Sequence, residues 1–226
     1  YRTRLCRGKY RDSARPILIN NWEATYFNFN KDKLLSIADY AQKIGLELFV
    51  LDDGWFGKRD DDTTSLGDWF VNTEKLGCAI STLADEINKR GLKFGLWFEP
   101  EMISEKSELY KSHPEWAIHV PGVIPQVGRN QLILDYTRPE VRDYIVKVVS
   151  DVLSSANIEY VKWDMNRNMS DAYSQALPPE RQGEFYHRYI LGLYDVLERI
   201  TSAFPDILFE GCSGGGGRND PGMLYY

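Results

Sequence analysis

The chain has 226 residues, 43% hydrophobic and 27% charged, a composition typical of one large globular domain and not of a disordered chain. Its formal net charge of −6 argues against nucleic acid as a partner, and no apolar run approaches the roughly 18 residues of a membrane span. Three widely spaced cysteines favour a reducing, cytoplasmic compartment over a disulfide framework.

Short apolar runs alternate with longer helical patterns along the chain. The apolar runs predict six strands, at residues 16–21, 46–53, 92–99, 132–136, 158–165 and 207–212. Apolar residues at helical spacing predict helices around residues 34–44, 80–87, 141–152 and 186–197. A short helix is expected from about Glu101. Thr137, Pro139 and Glu140 have the pattern of a capping box that opens the 141–152 helix.

This alternation predicts an α/β fold with a parallel sheet, either doubly wound or closed into a barrel. No glycine-rich phosphate loop follows the first strand, whereas reactive residues end almost every strand, which favours a (β/α)8 TIM barrel. A full barrel takes about 250 residues. We therefore expect residues 16–226 to form a catalytic barrel truncated to about six βα units and incomplete at the C-terminus, preceded by a basic, solvated connection at residues 1–15.

The fifth predicted strand carries a polar stripe. Because strand side chains alternate faces, Lys162, Asp164 and Asn166 point to one side, which we expect to be the barrel mouth. A lysine beside an aspartate favours the ionised carboxylate, and a glycosidase nucleophile requires that form. A structural ion pair in the barrel interior is the alternative interpretation.

Four successive glycines, residues 214–217, follow the sixth predicted strand. Such a run is costly to order and suits a backbone that approaches a ligand closely. A phosphate cradle would need a following Lys-Ser/Thr pair, which is absent. A plain flexible loop is the other alternative. Asp220 lies on the far side of the loop, and we expect it to face Asp164 across the pocket.

Paired carboxylates, Asp52 and Asp53, end the second predicted strand. They indicate either a metal site or acceptors for sugar hydroxyls. A metal would need further ligands from other strand ends, and none of the three histidines lies at one. Nearby tryptophans favour a sugar; they are Trp22, Trp55 and Trp97. Gly54 would let the chain leave the pleat so that both carboxylates face one ligand.

Five segments, in this order, resemble the catalytic barrel of glycoside hydrolase family 36, which contains microbial α-galactosidases and plant raffinose-type enzymes. The matching segments are residues 21–24 (NWEA), 51–57 (LDDGWFG), 95–102 (GLWFEPEM), 162–166 (KWDMN) and 212–218 (CSGGGGR). Each is modest alone, but five in order are highly specific. The resemblance runs from about Pro16 to the C-terminus.

The resemblance implies a retaining α-galactosidase that needs no metal or organic cofactor and acts on oligosaccharides such as melibiose or raffinose. Asp164 matches the nucleophile. Asp220 matches the general acid/base, although Asn219 stands before it where the family usually has an aromatic residue. The positions that match the −1 sugar subsite are Trp22, Asp52, Asp53, Trp97, Arg129, Lys162, Asn166, Cys212 and Gly214.

The resemblance also implies a longer, homo-oligomeric parent protein with additional β-domains, so this chain alone can hold the site and still be inactive. Three alternative functions remain open at this point. They are an α-galactosyl transferase of the raffinose-synthase type, a non-catalytic galactoside-binding barrel and a metal-dependent hydrolase.

Overall fold

The computed structural model describes residues 1–226, and its largest element is a five-stranded parallel sheet. In chain order the strands are β1 (Leu18–Asn20), β2 (Leu48–Leu51), β3 (Lys93–Phe98), β4 (Met102–Ile103), β5 (Leu132–Ile133), β6 (Tyr160–Trp163) and β7 (Leu208–Gly211). The sheet order is β1-β2-β3-β6-β7, and β4 pairs with β5 in a separate antiparallel ribbon. The order never reverses, unlike that of a doubly wound sheet with a switch point.

Helices connect the strands of the main sheet. They are α1 (Trp22–Thr25), α2 (Lys31–Lys43), α3 (Thr73–Leu76), α4 (Ile80–Lys89), α5 (Glu108–Ser112), α6 (Pro139–Ser154), α7 (Phe185–Ala203) and α8 (Ser213–Gly216). Short 3₁₀ helices span Lys9–Asp12, Pro114–Trp116, Pro179–Glu184 and Pro221–Tyr225. None of the helices combines the length and apolar character that crossing a lipid bilayer requires.

The α/β class and the parallel sheet are confirmed, but three local expectations are wrong. The fourth predicted strand does not join the main sheet, because β5 pairs antiparallel with β4 and the chain then turns away. The helix expected from Glu101 is replaced by β4, and α5 begins later, at Glu108. Thr137 does not cap α6, since its hydroxyl donates to Asp135 Oδ1 at 2.6 Å and the N-cap position belongs to Arg138.

The two faces of the sheet are packed differently. A cluster of 44 buried apolar residues, Val161 and Trp163 among them, lies between one face and the helices. The opposite face has a cluster of only 3, which are Leu48, Val50 and Tyr160. Helices therefore close one face, and the other is left to polar side chains. Gly95 on this second face allows the packing, because a Cβ there would lie 2.8 Å from the Tyr160 ring.

The N-terminal segment packs against the last helix and the C-terminal turn. Arg7 binds Glu198 of α7 through two hydrogen bonds of 3.0 and 2.7 Å, and its guanidinium lies 4.2 Å from the centre of the Tyr225 ring. Most of residues 1–15 are nevertheless exposed, as expected of a connection. A cavity of about 470 Å³ lies between this segment, α7 and β7, and none of the predicted site residues lines it.

Candidate active site

The polar residues of the candidate site meet at one edge of the sheet. Strands β2, β3, β6 and β7 are parallel neighbours, so their C-terminal ends lie side by side. Asp52 follows β2, Trp97 lies near the end of β3, Asp164 follows β6 and Cys212 follows β7. The sequence expectation that strand ends assemble a site is consistent with this arrangement.

Asp164 is the most completely held side chain of the group, with only 4% of its surface exposed. Its Oδ1 accepts hydrogen bonds from the Met165 N–H at 2.9 Å and the Gly214 N–H at 3.1 Å. Its Oδ2 accepts from the Trp97 indole N–H at 3.1 Å and from the Asn166 amide at 2.7 Å. All of these donors are uncharged.

This set of donors determines the charge of Asp164. Burial alone raises the pKa of a carboxyl group, because it disfavours the anion. Hydrogen bonds from Gly214, Trp97, Asn166 and the Cys212 thiol outweigh that effect, and the pKa of Asp164 lies below its ordinary value. The structure therefore holds an ionised carboxylate without a cation bonded to it.

Lys162 does not pair with Asp164 as the alternating pattern suggested. Its ammonium group instead donates to Asp52 Oδ2 at 2.9 Å, at the end of β2. Side chains two residues apart on a strand run parallel, whereas a long lysine reaches easily across the sheet. Burial lowers the pKa of Lys162, but its bond to Asp52 and the charges of Asp52, Cys212 and Asp164 together outweigh burial, and the pKa is raised.

Asp53 is also paired, with an arginine that the sequence did not single out. Arg59 Nε lies 3.0 Å from Asp53 Oδ1 and Arg59 Nη2 lies 2.8 Å from Asp53 Oδ2, which makes a bidentate ion pair. The arginine is only 1% exposed. Burial raises the pKa of Asp53 above its ordinary value, and Arg59 only partly offsets the rise. Gly54 has φ 106°, so the chain does leave the pleat after Asp53, as predicted.

Arg129 reaches the site from a tight turn. Arg129 and Asn130 both have positive φ, 49° and 58°, between the bridged residues Gly128 and Gln131, which is the geometry of a type I′ hairpin turn. The turn places the guanidinium 3.4 Å from the Asn166 side-chain oxygen, so Arg129 touches a residue that also binds Asp164.

The tryptophans differ from one another in accessibility. Trp22 is half-buried on α1, beside Tyr26 and Phe27. Trp55 is fully buried and its indole N–H donates to the Trp97 carbonyl at 2.9 Å, so the expectation that it packs on a sugar is wrong. Trp97 is 2% exposed and acts here as a donor to Asp164.

Asp220 binds α7 and the turn that follows Asp220. Its Oδ1 accepts from the Tyr194 hydroxyl of α7 at 2.5 Å and from the Gly222 and Met223 N–H groups at 2.8 and 3.3 Å. It thereby caps the last 3₁₀ helix. No hydrogen bond joins Asp220 to Asp164 or to a residue that binds Asp164.

Several residues that sequence reasoning missed also shape the site. Asn20 hydrogen-bonds to Asp52 and to the Trp22 N–H, and Asn21 accepts the Asp52 N–H at 2.7 Å. Glu99 is fully buried beneath Asn166 and accepts its N–H. The signal available in the sequence was position, since each of these residues is the last or the last but one of a predicted strand.

The comparisons with known proteins agree with one another. The profile of the melibiase family matches residues 1–226. The chain is 64% identical over 226 residues to the α-galactosidase AgaA of Geobacillus stearothermophilus, covering all of this chain and 31% of that protein. The chain therefore spans about a third of the length of the curated relatives that it matches.

Solved structures are similar over the same extent. A substituted form of the Geobacillus enzyme in complex with raffinose has a TM-score of 0.97 and 63% identity, covering 100% of this chain and 31% of that one. Another in complex with stachyose has a TM-score of 0.96 and 62% identity, covering 99% and 31%. Each of these two complexes has one aspartate replaced, by asparagine in the first and by alanine in the second.

Proposed function

The chain belongs to the melibiase family, and from that premise we propose that it carries the nucleophile half of a retaining α-galactosidase site. The observation that carries the proposal is Asp164, a buried carboxylate kept ionised by uncharged donors. A structural ion pair would need a bonded cation, and Lys162 bonds Asp52 instead. An ionised carboxylate without a bonded cation retains the reactivity that a nucleophile requires.

In the proposed reaction, Asp164 attacks the anomeric carbon of a terminal α-linked galactose. The bond to the leaving oxygen breaks while an acid protonates that oxygen, and a β-linked galactosyl ester forms. Water then attacks the ester with the same acid group now acting as base, and α-galactose is released. The substrates of this class are oligosaccharides such as raffinose and stachyose, with which relatives of known structure form complexes.

We propose that the acid/base lies beyond Tyr226. The resemblance implied Asp220, but its carboxylate caps a helix and binds Tyr194. An enzyme that holds an intact substrate has commonly lost a carboxylate that cleaves it. The two aspartates replaced in the Geobacillus complexes are separated by more residues along the sequence than Asp164 and Tyr226 are. No aspartate of this chain lies at that sequence separation from Asp164. This spacing supports a partner outside the chain.

The remaining predicted site residues would hold the sugar. Lys162 and Arg59 leave the outer lone pairs of Asp52 and Asp53 as acceptors for galactose hydroxyls, with their charges compensated. Trp22, Arg129, Asn166, Cys212 and Gly214 complete the proposed −1 subsite.

The finer fold assignment is also a proposal. Both edges of the sheet, β1 and β7, are unpaired, and an order without reversal suits a (β/α)8 barrel lacking its closing strands. Further units of a longer chain would pair there and would carry the acid/base to the mouth. A homo-oligomeric parent, which the family resemblance implies, is part of the same proposal.

The test uses the full-length protein and p-nitrophenyl α-galactoside. Asp164→Ala should lower kcat at least about 10⁴-fold, and added azide should restore turnover with β-galactosyl azide as product. Asp220→Asn should keep turnover within about 10-fold, because a cap contributes to folding and not to proton transfer. A general acid would cost about 10²–10⁴-fold. Wild-type turnover in Asp164→Ala would contradict the nucleophile assignment.

A further inference from the structure

The glycine-rich loop, residues 213–218, which includes α8, supplies a backbone amide to Asp164, but its glycines have few contacts with the rest of the protein. Residues 213–216 all have positive φ, between 50° and 110°. A Cβ at Gly215 or Gly216 would contact nothing within 4 Å, and the glycines are exposed. Such a backbone loses the most freedom on ordering, so its conformation must be imposed from its ends.

One end of the loop is anchored by a buried ion pair. Arg218 donates through both terminal nitrogens to Glu101, at 2.8 Å each, and the Glu101 side chain is 0% exposed. Glu101 also accepts from the Trp163 indole at 3.1 Å and from the Tyr189 hydroxyl at 2.8 Å. The pair therefore ties the loop to the helix-covered side of the sheet.

The Glu101–Arg218 pair is bound by Trp163, the residue directly before the proposed nucleophile Asp164. Trp163, which donates to Glu101, precedes Asp164, which accepts from Gly214 within the same loop. The loop is thus fastened on one side of β6 while its amide points to the other. We propose that Glu101 and Arg218 are positioning residues that hold the Gly214 N–H against Asp164, an inference that rests on the nucleophilic role proposed above.

Loss of this anchor should change the ionisation of Asp164. A hydrogen bond to the carboxylate favours its charged form, so a loosened Gly214 N–H raises the pKa of Asp164. The other titratable groups that face Asp164 are Lys162, Glu99 and Cys212. None of them bonds to Glu101 or Arg218, so substitutions in the pair leave their own hydrogen-bond partners in place.

The test replaces both partners at once in the full-length protein, Glu101→Gln with Arg218→Met, because no buried charge is then left unpaired. Hydrogen–deuterium exchange read by mass spectrometry should show faster exchange in residues 213–218. In the pH profile of kcat/KM, the acidic limb should move to higher pH, and the maximum of kcat/KM should fall about 10- to 100-fold. Arg218→Lys, which keeps the charge without the planar fork, should lie between the double variant and the wild type.

The matched control is Arg142→Met with Asp195→Asn, which removes a 3.0 Å ion pair between α6 and α7 that has no hydrogen bond to residues 213–218. It should change neither loop exchange nor the acidic limb. A folded Glu101→Gln/Arg218→Met variant with wild-type exchange, or with faster exchange but an unshifted limb, overturns the positioning role. If the wild type does not hydrolyse α-galactosides, the proposed function fails, and the exchange experiment alone decides whether the pair anchors the loop.

Discussion

Glu99 and Glu101 are two residues apart at the end of β3, and both side chains are 0% exposed, yet their surroundings are opposite. Glu101 is bound by both terminal nitrogens of Arg218. Glu99 has no cation within bonding distance. Burial raises its pKa to about 8, with a hydrogen bond from the Asn166 N–H opposing and the charge of Asp164 adding to the rise. At neutral pH Glu99 is therefore mostly an uncharged acid.

The difference shows that burial alone does not fix the charge of a carboxyl group. Glu101 lies where Arg218 can enter from the glycine-rich loop, and the resulting ion pair fastens that loop. Glu99 lies beneath the loop that carries Asp164 and Asn166. A second anion there would raise the pKa of Asp164. A protonated Glu99 leaves Asp164 as the ionised member, so the two glutamates support one carboxylate, the proposed nucleophile, by opposite means.

The largest expected effect comes from removing the charge of Glu101 alone. Glu101→Gln leaves Arg218 buried without its partner, and breaking a buried pair in this way costs about 3–5 kcal/mol. Urea unfolding at pH 7 would measure it. Glu140→Gln, which removes an exposed partner of Arg138, is the control and should change stability by less than about 0.5 kcal/mol. Equal losses of stability in the two variants would show that the Glu101–Arg218 pair contributes no more to the free energy of unfolding than an exposed ion pair does.

Glu99→Gln should behave differently, with an effect that depends on pH. A raised folded-state pKa means that the folded form binds the proton more tightly than the unfolded form. The corresponding stability is complete below pH 4.5, the ordinary value, and is lost as pH rises through about 8. Glutamine cannot ionise, so Glu99→Gln and the wild type should match near pH 4.5. The variant should be more stable by roughly 3 kcal/mol at pH 7 and by roughly 5 kcal/mol above pH 8, at about 1.4 kcal/mol for each pKa unit between the ordinary value and about 8.

The neighbouring amide offers an explanation of why glutamine should fit. Gln131 Nε2 lies 3.0 Å from Glu99 Oε2, while Gln131 Oε1 is buried with no partner. Amide oxygen and nitrogen are assigned from such networks, and the oxygen of a turned amide would accept a hydrogen bond from the protonated Glu99 carboxyl. Unfolding curves at pH 5, 7 and 9 would test this. If the difference in unfolding free energy between Glu99→Gln and the wild type stays constant from pH 5 to pH 9, Glu99 is ionised in the folded protein.

The sequence predicted the parts of the site that depend on local pattern. Strand alternation put Lys162, Asp164 and Asn166 on one face, and Gly54 was expected to break the pleat. These inferences need only the period of a strand and the freedom of glycine, and each of the six predicted strands matches an observed strand within three residues at either end. The fold class follows from the same alternation.

Partner choice could not be predicted in this way, because it depends on distant segments. Lys162 pairs with Asp52, 110 residues away, and not with Asp164, and Arg218 pairs with Glu101 across 117 residues. A long side chain has several acceptors within reach, and sequence spacing does not rank them. The β4–β5 ribbon was missed for the same reason, since two-residue strands carry almost no periodic signal.

The smallest expected effect compares one neutral donor to each glutamate. Tyr189→Phe removes the hydroxyl that donates to Glu101 at 2.8 Å and leaves almost no cavity. Hydrogen bonds to charged groups contribute about 1.5–3 kcal/mol, so this variant should lose stability in that range at pH 7. Gln131→Met removes the amide beside Glu99, and its cost should stay below about 1 kcal/mol, because only one of the two polar atoms of the amide has a partner.

Urea unfolding of both variants at pH 7 and pH 9 would complete the comparison. The cost of Tyr189→Phe should be the same at both values, since Arg218 keeps its charge and its bond to Glu101 throughout. The cost of Gln131→Met should rise at pH 9, where Glu99 ionises and the amide becomes one of its few donors. A larger cost for Gln131→Met than for Tyr189→Phe at pH 7 would reverse the charge states assigned to the two glutamates.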